Sequence, residues 1–96
     1  MVKVDVSVEA RADLLELHIQ STIRFGLEVA EEYIEGINAA LARLAEFPQS
    51  GPVFPGIRPP VRYLAYKRHH ILYDYDGATV WIVRIVHHAR DVRKLM

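Results

Sequence analysis

The chain has no cysteine. Disulfides and thiolate metal sites are therefore excluded, and a reducing cytoplasm is the compartment this composition fits. No apolar run approaches the roughly 18 residues of a membrane-spanning helix. The opening "MVKVDVSVEA" alternates and carries charge, unlike a secretory leader. Tryptophan occurs once, as Trp81, and all five prolines fall between Pro48 and Pro60. The few glycines form no phosphate-cradling loop. No Ser-centred nucleophile elbow and no HExxH helix is present.

What is there is enough for one domain, residues 1–96, with a modest core. Net charge is zero but uneven. Residues 1–50 hold four Lys/Arg against nine Asp/Glu, a balance of −5, and residues 51–96 hold eight against three, a balance of +5. A basic second half points to an acidic partner.

Val2, Val4, Val6 and Val8 alternate with polar residues, which predicts a half-buried strand. Ser7 can cap a helix running to about Phe25, with Leu15, Ile19 and Ile23 along its apolar side, Leu14 and Leu17 beside them, and Gly26 as its stop. A second helix from Leu27 to Phe47 carries Ala30, Tyr33, Ile34, Ile37, Leu41 and Leu44 at three- and four-residue spacing, with Glu28, Glu31, Glu32 and Glu35 on a solvated back. Pro48 ends it. "PQSGPVFPGIRPP" is a loop, and three strands follow: "VRYLAY", "HHILYDY" and "ATVWIVRIVH". The expected fold is α+β: a strand, an antiparallel two-helix hairpin, then a three-stranded antiparallel meander, with both helices on one face of an antiparallel sheet.

Two-residue turns at Asp76-Gly77 and Lys67-Arg68 would set the register. Tyr73 would face Val80, His69 would face Arg84, and Arg62 would face Tyr73. Arg62, Leu64, Tyr66, His69, Ile71, Tyr73, Tyr75, Val80, Ile82, Arg84 and Val86 would then meet the helices. The opposite face would leave Tyr63, Leu72, Trp81, Val83 and Ile85 open, an apolar patch that calls for a second polypeptide. Neighbouring residues on a strand point to opposite faces, so neither His69-His70 nor His87-His88 can chelate one metal through both rings. No metal site is expected.

The layout resembles the ParE/RelE family of toxins from bacterial type II toxin–antitoxin modules. The likeness begins at "VSVEARADLLEL", continues through "LARLAEFPQSG" and is strongest over "RYLAYKRHHILYDYDGATVWIVRIVHHARD". There Arg62, His69, Ile71, Tyr73, the Asp76-Gly77 turn, Arg84, His87 and Asp91 look like the family's arginine, His-x-Ile-x-Tyr strand, hairpin and closing Arg-x-x-His…Asp. The resemblance implies an antitoxin partner in a hetero-oligomer, whose C-terminal segment would cover Tyr63, Leu72, Trp81, Val83 and Ile85. No cofactor and no membrane association are implied.

The family divides in activity. RelE-like members cut messenger RNA on the ribosome, and ParE-like members inhibit DNA gyrase. His70 stands where endonuclease members commonly have arginine, and the chain lacks the terminal His-Tyr pair of one endonuclease branch. Both departures favour a gyrase-binding poison with no catalytic residues. Its target contacts would be Arg62, Lys67, Arg68, Arg90, Arg93 and Lys94, on gyrase or a gyrase–DNA complex. Under the endonuclease alternative, His87, His88, Arg84 and Arg90 would carry the chemistry.

Overall fold

The computed structural model describes residues 1–95. Its elements run β1 (Lys3–Val6), α1 (Val8–Phe25), α2 (Leu27–Glu46), β2 (Arg62–Tyr66), β3 (His69–Tyr75) and β4 (Thr79–His87), followed by a short 3₁₀ turn, Val92–Lys94. The sheet order is β1-β4-β3-β2. The three later strands form the expected meander. The first strand departs from the antiparallel expectation: it pairs parallel to the last, Val4 opposite Val80. The helical hairpin supplies the crossover that parallel neighbours need.

Ser7 ties three elements together. Its Oγ accepts from the Ala10 N–H at 3.0 Å and caps α1, while the hydroxyl donates to the Val83 carbonyl at 2.8 Å. Its own N–H reaches the Ile82 carbonyl. Gly26, at φ 93°, then turns the chain: its N–H closes α1 on Thr22, and its carbonyl receives the Ala30 N–H that starts α2. On α2, Ala30, Ile37, Ala40, Leu41, Leu44 and Ala45 are buried, so the acidic back stays in water as its periodicity predicts. Gly36 sits within this continuous helix because a Cβ there would run into the Tyr66 ring of β2.

The β2–β3 register is as expected, with Tyr66 opposite His69 and Arg62 opposite Tyr73. The β3–β4 register is not. Tyr75 pairs with Val80 and Tyr73 with Ile82, two positions from the expected partners. The cause is a wider turn: Asp76 Oδ1 accepts the N–H groups of both Ala78 and Thr79 at 2.8 Å, with Gly77 at φ 94°. A bulge then skips Val83, so Leu72 faces Arg84 and His69 faces His87. A two-residue slip keeps Val80 and Ile82 on the helix side. The extra residue reverses the rest, sending Ile85 into the core beneath the helices and Val86 to the other face.

That other face is open only toward Trp81. Ile57 and Val61 from the proline-rich loop, and Val92 from the 3₁₀ turn, bury Leu72 and Val86, with Phe54, Tyr63 and Leu95 packed around them. Two hydrogen bonds lay the loop along β2, Phe54 N–H to the Val61 carbonyl and Tyr63 N–H to the Pro52 carbonyl. Its base is held by the buried Tyr73, whose hydroxyl donates to the Pro48 carbonyl and accepts from the Gly51 N–H, each at 2.9 Å.

Candidate functional site

The histidines gather at one end of the sheet because β3 begins where β4 ends. His69 and His87 meet edge to face, 5.5 Å between ring centroids, and His88 stacks on His87 at 4.5 Å. Tyr33 of α2 completes the group, its hydroxyl 2.8 Å from His69 Nδ1 and 3.4 Å from the Tyr66 carbonyl. The Tyr33 oxygen also accepts the Arg68 N–H at 3.2 Å. Partial burial, then the neighbouring His87, His88 and His70, hold the His69 pKa below its ordinary 6.5. A neutral His69 ring is the consistent state at neutral pH. Lys67 lies over the Tyr33 and Tyr66 rings, 5.7 and 5.5 Å from their centroids.

His70 points to the opposite face, 5.1 Å from Tyr63 and 6.0 Å from Phe54 between ring centroids. Its Nδ1 is buried without a partner. Burial, then His88, pushes its pKa down as well. Among the described residues no group of three or more His, Cys, Asp or Glu could hold a metal ion.

Arg84 is committed elsewhere. Its Nε and Nη2 fork onto Asp13 of α1 at 2.7 and 2.9 Å, and Asp13 also accepts the Ile85 N–H at 2.9 Å. The two side chains are 21% and 15% exposed. This charge-assisted fork raises the guanidinium pKa further and pins α1 to the bulged strand. Arg84 therefore does not face His69 as expected; the wider turn and the bulge together put His87 there instead.

Comparison with known proteins identifies the arrangement. The family described as "ParE toxin of type II toxin-antitoxin system, parDE" matches residues 4–92. Toxin ParE1 of Mycobacterium tuberculosis is 33% identical over 88 residues, covering 91% of this chain and 90% of that protein. Toxin ParE1 of Caulobacter vibrioides is 31% identical over 88 residues, covering 92% and 91%. The chain belongs to the ParE toxin family. A solved chain of the "Chromosomal ParDE TA system from P. aeruginosa" shares the fold, with a TM-score of 0.79 at 22% identity over 91% of this chain and 96% of that one.

In this ParE toxin the basic residues singled out by sequence separate into three groups. Lys67 and Arg68 are exposed at the β2–β3 tip, with Arg90 exposed just after β4. Arg93 and Lys94 are exposed on the 3₁₀ turn, which Val92 anchors and Asp91 caps by accepting the Arg93 N–H. Arg62 is half-buried and holds the loop, donating to the carbonyls of Gly51 at 2.7 Å and Gln49 at 3.3 Å. His87 and His88 are exposed beside Arg90.

The expected open sheet face is corrected. Leu72 and Ile85 are 0% and 4% exposed, on opposite sides of the sheet, and Tyr63 and Val83 are half-buried. Trp81 alone of the five is exposed, at 45%, and its indole N–H donates to Asp76 at 3.2 Å. That bond and the loop N–H groups hold the Asp76 carboxyl below the usual range, the Thr79 and Ala78 amides contributing most.

The uncovered apolar surface lies instead on α1. Ala10, Leu14 and Leu17 pack inward, while Val8, Leu15, Ile19 and Ile23 run along the outside, continued by Phe25, Leu27 and Val29 at the hairpin tip. Leu15, Ile19 and Ile23 were the expected apolar side of this helix, and they face solvent. The signal was available: α1 carries apolar residues on more of its circumference than one core needs.

Proposed function

We propose that this ParE toxin stops growth by binding DNA gyrase, that it does so in the cytoplasm, and that a cognate antitoxin neutralises it by laying an apolar helix along the outer row of α1. The family match over residues 4–92 carries the reading. The α1 row supports the antitoxin part: Val8, Leu15, Ile19 and Ile23 recur at helical spacing and stand in water, a surface that a helix-in-groove partner would cover. The commitment of Arg84 to Asp13 weighs against nuclease chemistry, since a carboxylate already matches the charge that a phosphorane would need. Exposed Arg90, Arg93 and Lys94 are the target contacts we favour.

The endonuclease alternative keeps one supporting observation, the exposed His87-His88 pair beside Arg90. A supercoiling assay with purified gyrase separates the two readings. Inhibition, or a trapped cleavage complex, supports gyrase. Indifference of gyrase together with cutting of messenger RNA in a translating extract overturns it. Charge reversal at Arg90, Arg93 and Lys94 is expected to abolish growth arrest while leaving folding intact; persistent toxicity removes these residues as the contact.

A further inference from the structure

A groove of about 580 Å³ runs between the C-terminal half of α1 and the histidine end of the sheet. Its lining includes Arg24, Arg68 and Arg90, from three separate elements, together with Phe25, His69 and His87. We propose that this groove binds single-stranded nucleic acid, seating phosphates among the three arginines and a base against Phe25. The proposal goes beyond the gyrase reading, because it names a ligand the toxin holds by itself.

Charge is the first argument. None of the three guanidiniums forms an ion pair among the described residues, where the pairs are Lys3–Asp5, Arg84–Asp13 and Arg93–Asp91. Two carboxylates line the groove. Asp13 is already matched by Arg84. Glu16 accepts from the Gln20 amide at 3.1 Å and keeps its charge, so three guanidiniums stand against one uncompensated carboxylate. Three converging, unmatched arginines therefore leave an electropositive hollow, and planar guanidinium forks suit phosphate oxygens.

The second argument is Phe25. It is 64% exposed at the end of α1, beside these cations. An aromatic platform next to a phosphate-binding row is the arrangement that holds unpaired bases. A duplex keeps its bases stacked inside and could not offer one to Phe25. An acidic peptide could match the arginines but would leave the ring without a stacking partner. The volume suits a nucleotide-sized guest, within the roughly 300–1,000 Å³ of small-ligand clefts. The histidines add hydrogen bonding: His87 Nδ1 accepts the Ala89 N–H at 3.2 Å, and its Nε2 has no hydrogen-bond partner among the described residues.

Fluorescence anisotropy of a labelled oligothymidine of about 12 nucleotides, titrated with the purified full chain over a range of salt, tests this. Saturable binding is expected, with the logarithm of affinity falling against the logarithm of salt at a slope near −2, about 0.7 for each of three phosphates. Combining Arg24→Ala, Arg68→Ala and Arg90→Ala should weaken binding by about 30-fold or more and flatten that slope. Phe25→Ala should weaken it by about tenfold at unchanged slope. Arg43→Ala and Arg58→Ala, exposed and outside the groove, should change it by less than about twofold. Thermal melts identify any variant that fails to fold, and the single arginine variants then replace the triple. The proposal is overturned if the oligonucleotide does not bind at low salt. It is also overturned if the arginine or Phe25 variants bind like the parent, or if polyglutamate or a duplex competes as well as unlabelled oligothymidine. A preparation that still inhibits gyrase but holds no oligonucleotide ends this proposal and leaves the gyrase reading standing.

Discussion

Two apolar surfaces of this toxin meet opposite fates. The sheet face away from the helices is covered around Leu72 and Val86 by the chain itself, by Ile57 and Val61 of a proline-rich loop and Val92 of a terminal turn, leaving Trp81 exposed at the far end. The outer row of α1 is covered by nothing among the described residues: Val8, Leu15 and Ile23 are each more than 60% exposed. The difference shows that a two-helix lid does not decide which surface needs a partner. Irregular segments can close a sheet face when a few hydrogen bonds hold them, here those of Tyr73 and Arg62. A helix with apolar residues on two sides can fill a core with only one of them.

The largest expected contrast is between these surfaces. Leu72→Ala leaves a cavity beneath the loop and should lose about 2–5 kcal/mol in urea unfolding, whereas Ile23→Ala should stay within about 0.5 kcal/mol. Equal losses would mean that α1's outer row is packed in the free chain. Next comes the inner side of α1. Asp13→Ala strands the Arg84 guanidinium and the Ile85 N–H, and should cost about 2–3 kcal/mol. A change below about 0.5 kcal/mol would show that the fork is not what fixes the helix to β4.

A smaller effect sharpens the role of the outer row. Ile19→Ser with Ile23→Ser should leave the melting temperature nearly unchanged yet weaken binding of the cognate antitoxin by about tenfold or more in calorimetric titration. Unchanged affinity would move the antitoxin to another surface, with Trp81 the next to examine.

The smallest effect concerns pH. The folded chain holds His69 and His70 below their ordinary 6.5, so below that pH the unfolded chain takes up protons that the folded chain resists. Stability present above pH 6.5 should therefore decline as acid is added through and below that value. The urea midpoint at pH 5 should be lower than at pH 7.5, and His70→Phe should reduce the gap. A midpoint insensitive to pH over this interval would contradict the burial of these rings.

Much of the fold was legible from local chemistry. Ser7, Gly26 and Pro48 mark the helix boundaries within a residue or two, because caps and breakers act on neighbouring backbone groups. The α2 stripe and the β2–β3 register followed from periodicity and a tight turn. The β3–β4 register did not. Asp76 was read as half of a two-residue turn, but its carboxylate organises a wider one, and the Val83 bulge adds a residue that alternation does not mark. Of the candidate site, the exposed cations at Lys67, Arg68, Arg90, Arg93 and Lys94 were visible as charge. The tie between Asp13 and Arg84, 71 residues apart, was not.

By itself the sequence determined the element order, the acidic solvent face of α2, the basic second half and the family, since each depends on residues near in the chain or on the order of motifs. Only the tertiary structure decided which apolar residues are hidden and which arginines are free. Burial and ion pairing are settled between distant segments: one bulge reverses a strand's faces, and one aspartate on α1 claims the arginine that the motif had left open.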